Sequence, residues 1–234
     1  MYEEIGTLER ARNGEYDFRI AEVLSEAWVR TSGAKLTFLA AMFIFIVIAG
    51  TLTVVVSSLF DAQSYYDAEL YLKGFLSDRA VSLLTLPVTL PLIVAIVMMG
   101  IKRAHDIEIT IPSIFDYYVL VWPLVFASIA MNVMIMIGFI LLVLPGIYLA
   151  TAYMFTLPLI VDKNLTLWDA MESSRKAVTA HWFKLFGFNM LMALIITLSA
   201  LPLGIGLFWT VPLAFIGNGI LYRKIFGYGI DANE

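Results

Sequence analysis

The chain has 234 residues, of which 61% are hydrophobic and only 15% are charged, and its mean hydropathy is +0.87. A soluble domain averages about 45–50% apolar and about 25% charged residues, so this composition excludes an ordinary soluble domain. The net charge is −4, and there is no cysteine. A disulfide framework, a thiolate nucleophile and a sulfur-ligated metal site are therefore excluded as well.

The chain begins with a polar segment, residues 1–35, that contains one helical pattern. Apolar residues recur at helical spacing in it, at Ile20, Val23, Leu24, Ala27 and Trp28. This pattern predicts an amphipathic helix in the membrane interface, behind a short cytoplasmic tail. We expect the first apolar block to act as its own insertion signal, because a cleavable signal peptide places its apolar region much earlier.

Four long blocks contain no Asp, Glu, Lys or Arg, at 36–60, 80–101, 117–161 and 185–222. A transmembrane helix needs about 20 apolar residues, so the last two blocks are long enough for two crossings each. Pro145-Gly146 divides the third block, with Gly138 as an alternative turn, and Leu201 to Gly204 divides the fourth. The predicted spans are 36–60, 80–101, 117–143, 145–161, 182–201 and 204–222.

The basic residues give the orientation, since cytoplasmic loops carry an excess of Lys and Arg. With six spans and the N-terminus inside, 13 basic residues are cytoplasmic and two, Lys73 and Arg79, are outside. An undivided third or fourth block would export several of the 13. Charge therefore predicts an all-α membrane protein with six transmembrane helices in three hairpins and both termini in the cytoplasm.

A second interfacial helix is predicted at 164–180, before the fifth span. Thr166 and Asp169 resemble a capping box, and Glu172 and Lys176 form a favourable i,i+4 pair. An offset of 149 aligns this segment with the first amphipathic helix and indicates an internal repeat of interfacial helix plus hairpin. The identities are Ala21, Ser25, Val29, Lys35 and Leu36 with Ala170, Ser174, Val178, Lys184 and Leu185.

Candidate sites are few, because the predicted spans contain no Asp, Glu, Lys, Arg or His except Lys184 at the cytoplasmic end of 182–201. The most polar intramembrane residues are Asn132, Asn189 and Asn218, which either line a polar substrate cavity or form interhelical hydrogen bonds; the second reading is favoured. Basic residues at cytoplasmic helix ends commonly bind anionic headgroups. The lipid headgroup candidates are Arg103, Arg175, Lys176, Lys184, Arg223 and Lys224.

No reaction chemistry is visible in the sequence. Arg103, His105, Asp106, Asp162, Glu172, Arg175 and His181 gather on the predicted cytoplasmic face, where ion pairs explain them better than a metal or catalytic centre. Prolines 87, 91, 123, 158 and 212 lie inside spans, where proline is tolerated without a transport role. We therefore predict no enzymatic activity, no cofactor and no metal.

Several residues resemble those of a known group. They are Leu144-Pro145-Gly146-Ile147-Tyr148, Pro158-Leu159-Ile160-Val161-Asp162, Ala170, Ser174-Arg175 and His181-Trp182. This pattern resembles the YciC-like group of uncharacterised bacterial inner-membrane proteins, which are similar to the membrane domain of glycerophosphodiester phosphodiesterases. The resemblance implies about six helices, a bacterial cytoplasmic membrane and a link to envelope or lipid homeostasis. It implies no catalytic residues.

The sequence thus favours a non-enzymatic, multi-pass protein of a bacterial inner membrane that acts in envelope or lipid homeostasis and binds anionic lipids at its cytoplasmic rim. The alternative is a small-solute or lipid transporter with a polar cavity between proline-kinked helices. Expected partners are membrane lipids, with a second copy of the chain or another membrane protein also open. No nucleic acid is expected.

Overall fold

Long apolar runs become helices in this chain, because backbone in apolar surroundings must satisfy its own hydrogen bonds. The computed structural model describes residues 6–59 and 68–229, with side chains described from residue 78 onward after the gap; this part contains helices and turns and no strand. The helices are α1 (Leu8–Asn13), α2 (Ile20–Thr31), α3 (Lys35–Ser57), α4 (Ala68–Ala104), α5 (Val121–Leu141), α6 (Val143–Ala152), α7 (Thr156–Lys163), α8 (Leu167–Ala180), α9 (Trp182–Ala200) and α10 (Leu207–Phe226). A 3₁₀ helix, Ile111–Leu120, precedes α5.

Five helical segments are long and apolar enough to cross a membrane. They are Lys35–Ser57, Asp78–Ala104, Ile111–Leu141, Val143–Lys163 and Trp182–Ala200. The chain is therefore an all-α, multi-pass membrane protein. The predicted sixth span corresponds to α10, which is not among the five. Most of α10 is buried against other helices, so its composition need not match lipid.

The turns between the paired helices differ in how well the sequence predicts them. The break after the fifth span is confirmed, with Leu203 at φ 54° and Gly204 at φ 77°. The predicted division near Pro145 lies close to the observed break: Leu142, in an extended conformation, separates α5 from α6, and Pro145 lies in the first turn of α6. The alternative turn at Gly138 is wrong, because Gly138 lies inside α5, and a Cβ there would lie 3.0 Å from the Cα of Gly146. Gly138 marks a close helix contact.

Three predicted spans have different bounds or shapes. The helix of the second span begins at Ala68, well before residue 80, and so includes part of the predicted outer loop 61–79. Residues 60–67 of that region lie outside the described residues. The third span starts with the 3₁₀ helix, and the fourth is broken between α6 and α7.

The prolines occupy two kinds of position. Pro87 and Pro91 lie inside α4, and Pro212 lies inside α10. Pro123 and Pro158 lie in the first turns of α5 and α7. A first turn suits proline because the missing N–H would have no helical partner there. These two prolines therefore begin helices and do not break them.

One end of the bundle, here called the basic end, collects the ends of several helices. Arg223 near the end of α10 donates to the carbonyl of Ala104, the last residue of α4, at 2.6 Å. Arg103 donates to the carbonyl of Ser32, just before α3, at 3.1 Å. Lys184 in the first turn of α9 contacts Asp17, which precedes α2. The helices α4 and α10 thus end together, where α3 and α9 begin.

The parallel pair α4 and α10 is packed through glycine. A Cβ on Gly219 would lie 2.2 Å from the carbonyl oxygen of Gly100, and a Cβ on Gly100 would lie 2.3 Å from that of Phe215. Small residues allow this backbone approach, which drives helix association in membranes by van der Waals packing. α10 is consequently the central helix, in contact with α1, α2, α3, α4 and α9.

The residue correspondence of the proposed repeat does not match the packing. Ala21, Ser25 and Val29 are exposed on α2, whereas the aligned residues of α8 are buried. The buried face of α2 consists of Val23, Ala27 and Thr31. At an offset of 149 the matched residues therefore lie on opposite faces, and the alignment does not define equivalent positions.

The close contact of α4 and α10 predicts a difference between two glycines. Gly219→Ala places a methyl group against the Gly100 carbonyl, and overpacking of this kind costs about 1–3 kcal/mol. Gly187→Ala is the matched control, because nothing lies within 4 Å of a Cβ at Gly187 and alanine favours the helix. Thermal unfolding in detergent should show a lower Tm for Gly219→Ala and an unchanged or higher Tm for Gly187→Ala. Equal effects would contradict the glycine contact.

Candidate functional site

The most buried of the predicted headgroup cations is Arg223, whose side chain is 10% exposed. Its guanidinium donates to both carboxylate oxygens of Glu26 in α2, at 2.9 and 3.0 Å, and to the Ala104 carbonyl. Glu26 also pairs with Arg30 at 2.6 Å. Arg223 therefore joins α2, α4 and α10, and it is not presented to lipid.

Arg103 has a similar internal role. It donates to the carbonyls of Arg30 at 3.0 Å and Ser32 at 3.1 Å, where α2 ends. The last carbonyls of a helix have no partner within the helix, and a basic side chain can satisfy them. Arg103 thus caps α2 from α4. The sequence did not indicate this role, because the contact joins segments about 70 residues apart.

Arg175 and Lys176 form a separate group on α8. Arg175 makes a bidentate contact with Glu172, both distances being 2.8 Å, and Lys176 lies 3.5 Å from the same carboxylate. The hydrogen bond from Arg175 lowers the pKa of Glu172. The predicted Glu172–Lys176 pair and the Thr166 cap, which accepts from the Asp169 N–H, are confirmed. Two cations share the Glu172 carboxylate, and Asp169 lies one turn earlier, so α8 carries two basic and two acidic residues.

The two remaining candidates lie in α9 and α10. Lys184 is 47% exposed and contacts Asp17 at 2.5 Å, and this hydrogen bond lowers the pKa of Asp17. Lys224 is half-buried. The six predicted residues therefore do not form one site: Arg223 is buried and Arg103 is engaged with backbone carbonyls, whereas the side chains of Arg175, Lys176 and Lys184 are 37%, 50% and 47% exposed.

Exposed aromatic side chains accompany the surface cations. Trp168 at the start of α8 is 68% exposed, and Phe183 in the first turn of α9 is 84% exposed. Aromatic residues are enriched at membrane–water interfaces. We call Trp168, Arg175, Lys176, Phe183 and Lys184 the rim patch. Phe183 was missed in the sequence because it lies at the edge of an apolar block.

The three intramembrane asparagines make the same local hydrogen bond. The side-chain N–H of each donates to the carbonyl four residues earlier: Asn132 to Ser128 at 2.8 Å, Asn189 to Leu185 at 2.9 Å and Asn218 to Ala214 at 3.0 Å. The favoured reading, interhelical hydrogen bonding, is therefore wrong for these bonds. Only Asn189 adds a contact to another segment, at 3.7 Å from the sulfur of Met154.

Two of the asparagines share a cavity. A partly open cavity of about 210 Å³ lies between α4, α9, α10 and the segment that joins α6 to α7. Its lining is mainly apolar, and Asn189 and Asn218 supply its side-chain amides; Asn132 is not part of it. The lining residues are Val97, Ile101, Met154, Phe155, Pro158, Asn189, Phe215 and Asn218.

The amide of Asn218 is only partly satisfied. Its Oδ1 atom is buried and has no hydrogen-bond partner among the described residues. A buried polar atom left in this state costs about 1–3 kcal/mol. The helix does not require this cost, since an apolar side chain of similar size would avoid it. Asn218 therefore makes the folded chain less stable than an apolar residue of similar size would at this position.

The predicted cluster of titratable residues does not converge. His105 packs against the ring of Tyr228, whereas His181 packs against Tyr16. Burial, with the charges of Arg223, Arg30 and Lys163, lowers the pKa of His105 to about 4. The described part of the chain holds no group of three His, Asp or Glu side chains that could bind a metal ion.

Comparison with known proteins does not assign this chain to a family. No protein-family model, no curated protein and no solved structure matches the chain. The contacts at the rim patch and in the cavity are therefore the basis for any function.

The buried position of Arg223 predicts a large effect on stability. Arg223→Met leaves the Ala104 carbonyl without this donor and removes one of the two arginines from Glu26. Removing one partner from a buried pair costs about 3–5 kcal/mol. The matched control is Arg19→Met. Arg19 also forms an arginine–glutamate pair, with Glu22, but the side chain of Arg19 is 83% exposed and that of Glu22 is 57% exposed. Exposed pairs contribute roughly 0–1 kcal/mol.

Thermal unfolding of both variants in the same detergent measures this difference. At about 2–4 °C per kcal/mol for a chain of this size, Arg223→Met should lower Tm by at least roughly 6 °C. Arg19→Met should change it by no more than about 4 °C on the same conversion. A Tm for Arg223→Met equal to that of the control would show that Arg223 does not hold the three helices together.

Proposed function

We propose that this chain is a non-enzymatic protein of a bacterial inner membrane that binds anionic lipid headgroups at the rim patch and acts in envelope or lipid homeostasis. The observation that carries the proposal is the combination of exposed Trp168 and Phe183 with half-exposed Arg175, Lys176 and Lys184. Aromatic rings hold this surface at the interface, where basic residues attract anionic lipids.

The ion pairs of the rim patch do not prevent lipid binding. Exposed pairs of this kind contribute only about 0–1 kcal/mol, so exchange of a carboxylate for a lipid phosphate costs little. Arginine also binds phosphate in the same bidentate geometry that Arg175 uses with Glu172. By contrast, Arg103 and Arg223 would have to leave internal partners, and we do not include them in the site.

The proposal includes six spans with both termini in the cytoplasm. Charge supports it, with 13 basic residues on one side and two on the other. The contacts among Arg223, Ala104, Arg103 and Ser32 also support it, because they bring helix ends assigned to the same side into one cluster. The resemblance to the YciC-like group agrees with this membrane and this number of helices.

A second candidate function is a carrier for a small solute or a lipid. The cavity that Asn189 and Asn218 share favours it. However, Asn132 lies elsewhere and the lining is mainly apolar, so the described residues offer a binding pocket and not a polar path. We therefore rank this function second.

The proposed topology predicts which positions are accessible from each side. The natural chain has no cysteine, so single-cysteine variants can be labelled with a membrane-impermeant maleimide in spheroplasts. Leu142→Cys and Leu203→Cys, which are 68% and 95% exposed in the two turns, should be labelled in intact spheroplasts. Glu15→Cys and Glu108→Cys should be labelled only after permeabilisation. Labelling of Leu203→Cys from the cytoplasmic side alone would contradict the proposal that the last two segments cross the membrane.

The lipid proposal predicts a specific loss of binding. The double variant Arg175→Ala/Lys176→Ala should retain less dioleoylphosphatidylglycerol than the wild type in native mass spectrometry. At about 1 kcal/mol for each basic residue, the expected loss is roughly thirtyfold. Retention of zwitterionic dioleoylphosphatidylcholine should not change.

Two further variants control this experiment. Arg19→Ala removes a cation that is 83% exposed but lies outside the rim patch, and it should retain the anionic lipid. Glu172→Gln removes the carboxylate that competes with phosphate and should increase retention. Unchanged retention in the double variant, or an equal loss in Arg19→Ala, would refute the rim patch as the site.

A further inference from the structure

The hydrogen bonds of the two cavity asparagines determine what the cavity can recognise. Asn189 directs its Nδ2 atom to the Leu185 carbonyl at 2.9 Å and to the Met154 sulfur at 3.7 Å. Asn218 directs its Nδ2 atom to the Ala214 carbonyl at 3.0 Å. A nitrogen must face a carbonyl oxygen, so these contacts fix which amide atom is which. Asn189 is left with its oxygen as a hydrogen-bond acceptor, and Asn218 with its oxygen and one N–H.

The remaining polarity of the cavity therefore consists of an acceptor and a donor. The Asn189 oxygen is the acceptor, and the second Nδ2–H of Asn218 is the donor, because an amide has two N–H groups and the Ala214 carbonyl takes one of them. The Oδ1 atom of Asn218 accepts no hydrogen bond from the described residues, but it is buried and offers no surface to a ligand. No Lys, Arg, Asp or Glu lines the cavity. A carboxylate or phosphate would find no cation there, and an ammonium would find no counter-charge, so burial of either charged group is unfavourable. The matching polar group is uncharged and both donates and accepts a hydrogen bond, and a hydroxyl is the smallest example.

The rest of the lining suits an apolar body. Val97, Ile101, Phe155, Pro158 and Phe215 surround the amides. Ligand sites commonly combine such a lining with a few polar groups that fix the orientation. The volume, about 210 Å³, accommodates part of an amphiphile and not a whole lipid. The remainder would extend through the open side of the cavity.

The depth of the cavity indicates the part of the membrane from which the ligand comes. Asn218 lies five residues before Arg223 on α10, which is about 7.5 Å along the helix axis. The zone between the hydrocarbon core and the outer limit of the headgroups is roughly 5–8 Å deep on each side. With Arg223 at the cytoplasmic interface, where the proposed topology puts it, Asn218 lies near the level of the ester and hydroxyl groups of glycerolipids.

We propose that this cavity binds an uncharged lipid through a free hydroxyl group, as in a diacylglycerol, with the amides of Asn189 and Asn218 as its hydrogen-bond partners. The hydroxyl donates to the Asn189 oxygen and accepts from the Asn218 N–H, and the glycerol and first acyl carbons contact Phe155, Phe215 and Val97. This site is separate from the rim patch and does not rest on anionic-lipid binding.

Retention of tritiated 1,2-dioleoylglycerol by the full chain in detergent tests the proposal. Asn189→Leu and Asn218→Leu should each weaken binding at least tenfold. Asn132→Leu is the matched control, since Asn132 makes the same bond to its own helix but lies outside the cavity, and it should bind as the wild type does. The ligand control is the same lipid with its hydroxyl methylated, which cannot donate to Asn189; it should bind at least tenfold more weakly to the wild type and show no further loss in Asn189→Leu.

Folding is monitored by Tm, and Asn218→Leu should be at least as stable as the wild type because it removes an unpartnered buried oxygen. A second variant, Val97→Phe, fills the cavity without touching either amide and should also abolish binding. Equal binding of the methylated lipid, equal loss in Asn132→Leu or undetectable binding to the wild type would each overturn the proposal. Phosphatidylglycerol retention should be unchanged in the asparagine variants, so failure here is distinct from failure at the rim patch.

Discussion

The arrangement of the helices depends on one buried arginine at the end of the central helix. Arg223 contacts Glu26 of α2 and the last carbonyl of α4, and so holds together three segments distant in sequence. This contact sets the ends of α4 and α10 at the same level, where Gly100 and Gly219 allow the two backbones to touch. The ion pair fixes the register of the two helices. Lipid provides no hydrophobic driving force for helix association, so van der Waals contact along the parallel helices supplies the attraction. The cavity between α4, α9 and α10 is a consequence of this alignment.

Basic residues with the same sequence signature have different roles in this protein. The charge rule counts Arg103, Arg223, Lys176 and Lys184 alike, because it concerns the side of the membrane on which each residue lies. Packing separates them: Arg103 and Arg223 satisfy backbone carbonyls and the partly buried carboxylate of Glu26, and Lys176 and Lys184 remain near the surface. Only an exposed cation can exchange its partner for a lipid phosphate at small cost. Lipid binding is therefore assigned to α8 and the start of α9.

The sequence predicts those features of the fold that have local causes. The helical class, the turn at Leu203-Gly204 and the cap at Thr166 follow from composition, glycine and a hydroxyl side chain. Pro145 places the division between α5 and α6 to within a few residues, but the extended conformation of Leu142 has no local signal in the sequence. The same holds for the early start of α4 and for Arg103, whose acceptors belong to another helix. Features that depend on distant segments are thus the ones that sequence patterns miss.

The asparagines show the same limit at the candidate site. Asn132, Asn189 and Asn218 each bond to a carbonyl of their own helix, so neither their sequence nor their local geometry distinguishes them. Because these bonds are within one helix, they do not explain why polar residues stand in apolar segments. Asn189 and Asn218 differ from Asn132 in their surroundings, since they face a common cavity and the Asn218 oxygen has no partner in the described residues. An amide that bonds its own backbone and leaves its oxygen unsatisfied adds nothing to helix association. A ligand in the cavity that hydrogen-bonds to these amides, as proposed, would account for both polar positions.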